Sequence, residues 1–393
     1  MRRVNAIMAR IYPTTVVALV IIVAVVYMLV FYLPIPANQA DDRKPKDLLG
    51  VKPDAPLALL AVHGYPQQNG SKSFKSAAKK PPQFHRPSYK GKDTVNVVVC
   101  SDEKTLGGLI ATVNSIWLNT KSHVKFHIVV DKESLLHLRS WLAIPALQDI
   151  DYNMVAFNKS WVKSKTEGND ARKDSVSPMT FARFYFLRLF PTLTGRVVFV
   201  DSDTIVQGDI ADLNNTKMDP GVAVALSDDC SSSSSRASLH QNVYANYLNF
   251  LNERVKKLGL NPMTCSFNAG VFVANVGLWR EQKITEKLDY WLGINAKEDI
   301  WGTQRGGGNA APPMMIILYK QHTDIPPEWH VRHLGVTSGT RYSENFVKSA
   351  KLLHWNGHFK PWGRTSQHTL VWEKYFLPDP MGKFKLVRKY KVN

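Results

Sequence analysis

The chain has 393 residues, 44% of them hydrophobic, with 10 Trp, 14 Tyr and 17 Phe. That is enough apolar side chain for one sizeable packed domain, and it excludes a largely disordered protein. The formal net charge of +18 is concentrated in Lys and Arg of the region before residue 93 and of the C-terminal tail. These read as solvated basic flanks, and no nucleic-acid partner is expected.

In chain order, the first informative segment is residues 14–33, an uncharged and strongly apolar stretch. A helix rises about 1.5 Å per residue, so this length spans a hydrocarbon core roughly 30 Å thick. A cleaved signal peptide would carry a shorter apolar region of ~7–15 residues and end in a small-residue cleavage site. Pro34-Ile35-Pro36 follows instead, which favours an uncleaved anchor. Arg2, Arg3 and Arg10 precede the span, and positive flanks stay cytoplasmic, so the rest of the chain is expected to be lumenal in a type II orientation. Residues 1–13 are then a cytoplasmic tail and 14–33 a signal-anchor. Residues 34–93, rich in Pro, Lys, Gly and Ser, read as a stem. Residues 94–393 form the folded domain and its basic tail.

Glycosylation acceptor triplets occur at Asn69, Asn158 and Asn214 and are usable only in a lumenal chain. Of three cysteines, Cys230 and Cys265 lie in loop-like sequence and could pair, while Cys100 ends an apolar strand and reads as a buried thiol.

From Thr94 onward strands alternate with helices. Residues 95–100, 125–130, 152–157 and 197–200 are short apolar runs of the buried-strand kind. Between them, Leu106, Leu109, Ile110, Val113, Ile116 and Trp117 recur at helical spacing, and residues 178–190 predict another helix closed by Pro191. Further apolar runs follow at 222–226, 271–274 and 314–318, with a long helix predicted near 244–258 and a low-complexity serine loop at 231–235. This alternation predicts an α/β fold with a mostly parallel sheet flanked by helices.

Asp201-Ser202-Asp203 directly follows the apolar strand at 197–200. The carboxyl end of a strand is where open α/β sheets bind ligands. In extended backbone, residues i and i+2 project to the same side, and two close carboxylates repel unless a divalent cation neutralises them. A hard cation there bridges to a diphosphate. About 150 residues later comes His354-Trp-Asn-Gly357-His-Phe-Lys360-Pro-Trp362. His354 would complete a mixed carboxylate–imidazole site, which favours manganese over calcium. Gly357 permits close backbone approach to a phosphate, and Lys360 supplies a point charge.

These two motifs, with Phe267-Asn-Ala-Gly-Val271 between them, resemble family 8 glycosyltransferases. Leu106-Gly-Gly-Leu109, Pro178-Met-Thr-Phe-Ala-Arg183, Val206-Gln-Gly-Asp-Ile210 and Val331-Arg-His-Leu-Gly335 extend the resemblance over roughly residues 94–393. It implies a retaining enzyme of GT-A fold, preceded here by a single transmembrane helix. Such an enzyme uses a UDP-sugar donor with Mn2+ (or Mg2+) and a glycan or glycoprotein acceptor at a Golgi membrane. It assigns Asp201, Asp203 and His354 to the metal. Cys100, Ser101 and Asp102 fall to the uridine, and Ser202 joins the donor contacts. Arg183 falls to the donor phosphate or sugar, Asn268, Ala269 and Gly270 to the transferred sugar, and Gly357 and Lys360 to the diphosphate. Asp203, Asn268 and Gln304 are the expected catalytic residues. One departure stands out. Many family members carry an Asp-Gln pair after the Asn-Ala-Gly strand and helix, and residues 298–308 do not show it; Asp299 and Gln304 are the candidates there. A protein that keeps the donor site without turnover is therefore the alternative, and an adaptor acting through the basic stem is a third.

Overall fold

A computed structural model describes residues 94–166, 177–230, 242–301, 310–336 and 342–387. The tail, anchor and stem at 1–93, Asn69, the serine loop, Gln304 and the last basic residues lie outside them. Among the described residues no helix is long and apolar enough to cross a membrane.

Seven strands form one sheet in the order β3-β2-β1-β4-β7-β6-β8. Their ranges are β1 Val95–Ser101, β2 Val124–Val130, β3 Asp151–Ala156, β4 Arg196–Asp201, β6 Val224–Asp228, β7 Phe267–Asn275 and β8 Thr323–Asp324. The first four run parallel, and β7 runs antiparallel to both β4 and β6. The sheet is thus mostly parallel but mixed, as a GT-A fold implies, with β7 as the antiparallel strand. β5 (Thr204–Val206) and β9 (Leu352–His354) form a separate antiparallel pair.

The central strands are apolar throughout because both faces are covered. Val98 and Cys100 of β1, Phe199 of β4 and Phe272 of β7 point into one core layer. Val97 and Val99, Val200 and Val271 point into the other, with the helix α1 (Leu106–Asn119). Successive side chains on a strand alternate between faces, so each strand serves both layers. The antiparallel course of β7 matters for function. It brings the start of that strand to the edge where β1 and β4 end.

Three expectations about local structure change. The helix at 178–190 is a 3-10 segment, Pro178–Phe184, followed by one α turn, Phe186–Leu189. The Arg183 Nε donates to the Thr180 carbonyl, which an α-helix would give to the amide four residues on. The long helix at 244–258 is reduced to Tyr244–Asn246 and Glu253–Lys256. There the side chains of Asn246 and Asn252 accept backbone amides at the starts of the two short helices, and Asn249 does so between them, so the run is divided into local pieces. The apolar run at 314–318 belongs to a helix, α2 (Ala311–Ile317), whose first turn holds Pro312 and Pro313. Cys230 and Cys265 are disulfide-bonded, and Cys100 is a buried free thiol.

Candidate functional site

The site forms where β4 ends. Asp201 lies in register with Cys100 of β1, and the chain turns there because Thr204 Oγ1 donates to the Asp201 carbonyl at 2.8 Å. From α1, Thr112 Oγ1 donates to the Ser202 and Thr204 carbonyls, at 3.2 and 2.8 Å. Gly108 lets that helix come close, since a Cβ there would sit 2.4 Å from the Ser202 oxygen. The Asp201-Ser202-Asp203 backbone is therefore fixed from beneath. β5 then pairs with β9, which sets Thr204 opposite His354 and delivers that histidine to the carboxylates.

The His354 Nε2 is 3.0 Å from Asp203 Oδ1 and 3.8 Å from Asp201 Oδ2. One ligand atom from each of these three residues falls within 4.8 Å of the others. Lys360 Nζ donates to Asp203 Oδ2 and, at 3.2 Å, to the Trp355 carbonyl. Burial raises the Asp203 carboxyl, but the charges of Lys360 and His354 outweigh it and hold this group well below the usual carboxylate range. Burial pushes Asp201 up against the pull of Arg183, helped by the Asp203 charge beside it. A divalent cation would reverse that push by adding positive charge at the same place.

Two glycines shape the cradle. A Cβ on Gly270 of β7 would lie 2.4 Å from His354 Cε1 and 2.5 Å from Asp201 Oδ2. Only glycine lets β7 pass this close to His354 and Asp201. The donor set and this clearance fit a hard divalent cation. Gly270→Ala is expected to displace His354 or Asp201 and lower turnover about 100-fold, the scale of a ~1 Å misplacement. Its Mn2+ affinity, read by paramagnetic resonance, should fall in parallel. Gly357 has φ 114°, and a Cβ there would meet the Gly335 oxygen at 2.4 Å. It thus lets the loop carrying Lys360 fold back on the segment at 333–336. Trp362 braces this loop against Trp372 and Phe384, with ring centroids 5.9 and 6.0 Å away.

The remaining predicted residues divide by what their side chains do. Arg183 is buried; its Nη2 donates to Asp201 Oδ1 at 2.8 Å and its Nη1 to the Ala269 carbonyl. It positions Asp201 and the start of β7. Asn268 Oδ1 accepts from the Gly270 amide at 2.8 Å, which rigidifies the irregular start of β7, where the register against β6 shifts. Burial pushes the Cys100 thiol up to about 12, so it stays protonated. The Ser101 hydroxyl is buried and shared with Thr105 at 2.8 Å. Asp102, after it, is partly exposed. Asp299 is exposed, and its carboxylate accepts from Asn249 at 2.9 Å. Asn158 is exposed and Asn214 half-buried.

His330 belongs to none of the sequence motifs of the site. It is fully buried, and its Nε2 lies 2.9 Å from Nδ1 of His354. Burial, then the neighbouring Arg332 charge, holds this imidazole well below its usual range and hence neutral. No local pattern marks it. It meets His354 only because the Val331–Leu353 bridge aligns the two segments.

A mixed sheet of this order, with Asp-x-Asp at the end of a central strand, defines a GT-A-type glycosyltransferase fold. The chain matches the structure of the galactosyltransferase LgtC in complex with donor and acceptor sugar analogs, with TM-score 0.52 and 14% identity, over 72% of this chain and 98% of that one. Residues 96–366 match glycosyl transferase family 8, and the chain belongs to that family. It is 46% identical to glycosyltransferase 8 domain-containing protein 1 of Homo sapiens over 302 residues, 76% of this chain and 81% of that protein. It is 41% identical to glycosyltransferase 8 domain-containing protein 2 of Bos taurus over 299 residues, 75% of this chain and 85% of that protein. Family and fold together support glycosyl transfer as the activity.

Proposed function

We propose that the chain is a metal-dependent, retaining glycosyltransferase that moves a sugar from a UDP-sugar to a glycan or glycoprotein acceptor. We further propose that residues 14–33 anchor it in a Golgi membrane with residues 94–393 in the lumen. The observation that carries the donor reading is the convergence of Asp201, Asp203 and His354 beside Lys360 at the end of β4. When bound there, Mn2+ (or Mg2+) would join the carboxylates to the donor diphosphate and offset negative charge on the leaving group.

The chain's own residues do the rest. Arg183 holds Asp201 in place by a charge-assisted hydrogen bond of 2.8 Å. Lys360, partnered by Asp203 without donor, is placed to turn its ammonium toward phosphate oxygens. Asn268, Ala269 and Gly270, the stiffened start of β7, would lie beside the reacting sugar. With retention, as the family implies, the anomeric C–O bond to the diphosphate breaks. The acceptor oxygen bonds the same face, and its proton leaves to a diphosphate oxygen.

A second reading has a specific observation behind it. The helix α2 opens with Ala311, Pro312 and Pro313, and Asp299 is exposed and tied to Asn249. Among the described residues neither supplies a carboxylate–amide pair; Gln304 lies outside them. A protein that binds donor without turnover would show these features. Release of UDP from a panel of UDP-sugars, with the purified full-length chain and Mn2+, separates the readings. The proposal predicts metal-dependent release that an acceptor accelerates. Tight UDP binding without release from any sugar would favour the second reading.

A further inference from the structure

We propose that His330 is a positioning residue for the metal site: its Nε2 holds His354 in the tautomer that turns Nε2 of His354, with its lone pair, toward Asp201 and Asp203. The inference rests on reading those three residues as metal ligands.

The two rings are joined through His330 Nε2 and His354 Nδ1 at 2.9 Å. Their planes are 14° apart and their centroids 5.1 Å, so the hydrogen bond runs along both rings and not across a face. A neutral imidazole carries one N–H and one lone pair. A metal bound at Nε2 of His354 therefore requires the hydrogen on Nδ1, where it needs an acceptor. His330 Nε2 is in place to be that acceptor.

The rest of the His330 environment singles out this contact. The residue is fully buried, and its Nδ1 is buried with no hydrogen-bond partner among the described residues. An unpartnered buried polar atom costs free energy, so simple packing would be better served by Phe or Leu. The identity of the side chain is explained by its other nitrogen. An imidazole can also reverse the bond. With no cation bound, His354 can point an Nε2–H at Asp203 Oδ1, 3.0 Å away, and His330 then donates to the freed Nδ1. A backbone carbonyl in the same place could only accept.

The backbone keeps the pair together. The His354 amide donates to the Val331 carbonyl at 2.8 Å. Arg332 clamps the His330 segment to the end of β6 through the Ser227 and Asp228 carbonyls, each at 2.9 Å. Partners of a ligating histidine's second nitrogen change metal affinity by about 10- to 100-fold when removed.

The test is Mn2+ titration of the full-length chain by paramagnetic resonance, for wild type, His330→Phe and His330→Gln, with thermal unfolding recorded for each. His330→Phe should lose about 10- to 100-fold in Mn2+ affinity. His330→Gln, whose amide can accept from Nδ1, should recover most of it at a similar melting temperature. Unchanged affinity in His330→Phe, or equal loss in both variants, would overturn the role of the hydrogen bond. A wild-type chain that does not bind Mn2+ would instead remove the metal reading itself. Should His330→Phe not fold, nitrogen-15 spectra of histidine-labelled wild type in Mg2+ decide the matter. Nδ1 of His354 should carry the hydrogen, and a bare Nδ1 would refute the proposal.

Discussion

Asp203→Ala is expected to lower kcat/KM about 1,000-fold, because a metal-linked diphosphate site contributes several kcal/mol and each ~1.4 kcal/mol is tenfold. The substitution removes a ligand, but its consequences spread. Asp203 is also the carboxylate that His354 and Lys360 both approach. Without it Lys360 loses its carboxylate partner, and Asp201, itself bound to Arg183, is the acid left beside His354. The fold should survive, because the Asp203 backbone is held through its carbonyl by the Trp355 amide and not through the side chain. Circular dichroism should thus show native structure in a protein that no longer releases UDP. Asp203→Asn, which keeps the shape and loses the charge, should fall almost as far. Retention of more than a tenth of the wild-type turnover in Asp203→Ala would count against a metal role for this residue.

Arg332→Ala is expected to be the most destabilising of the changes considered, by about 3–5 kcal/mol, the range for breaking a buried ion pair from one side. Arg332 is fully buried, and its Nη1 is 2.9 Å from Asp229 Oδ1. The same guanidinium binds the Ser227 and Asp228 carbonyls where β6 runs toward the disulfide. Truncation leaves Asp229 buried with its charge uncompensated, except by the Ser266 hydroxyl. Denaturant unfolding of Arg332→Ala, Asp229→Ala and the double variant measures the coupling. The double variant should lose well less than the sum of the two single losses, because neither partner is then left stranded. Strict additivity would show that the pair is not coupled.

The parts of this architecture legible in the sequence were those fixed by local chemistry. β1, β2 and β4 are short β-branched runs, and burial on both faces demands that pattern. Asp201 and Asp203 could be picked out because they directly follow such a run, and Lys360 and Gly357 because they share a motif with His354. What could not be read depends on contacts between distant segments. Residues 244–258 have helical periodicity, but three asparagine side chains capture backbone amides and break the run. Arg183 was expected at the donor phosphate or sugar, but its hydrogen bond to Asp201, 18 residues away in sequence, leaves no trace in a local motif. The link from His330 to His354 crosses 24 residues and exists only once β9 has docked. A mixed sheet followed from the resemblance, but which strand runs antiparallel did not, since the apolar run at 271–274 carries no mark of its pairing partners.

The central claim is that Asp201, Asp203 and His354 hold a metal that in turn holds a nucleotide diphosphate. Calorimetric titration of UDP into the full-length chain, with Mn2+ and again with excess EDTA, addresses it most directly. Saturable binding in Mn2+ that disappears in EDTA, and is absent from Asp203→Ala under both conditions, is the predicted result. UDP binding of equal affinity with and without the ion would contradict it.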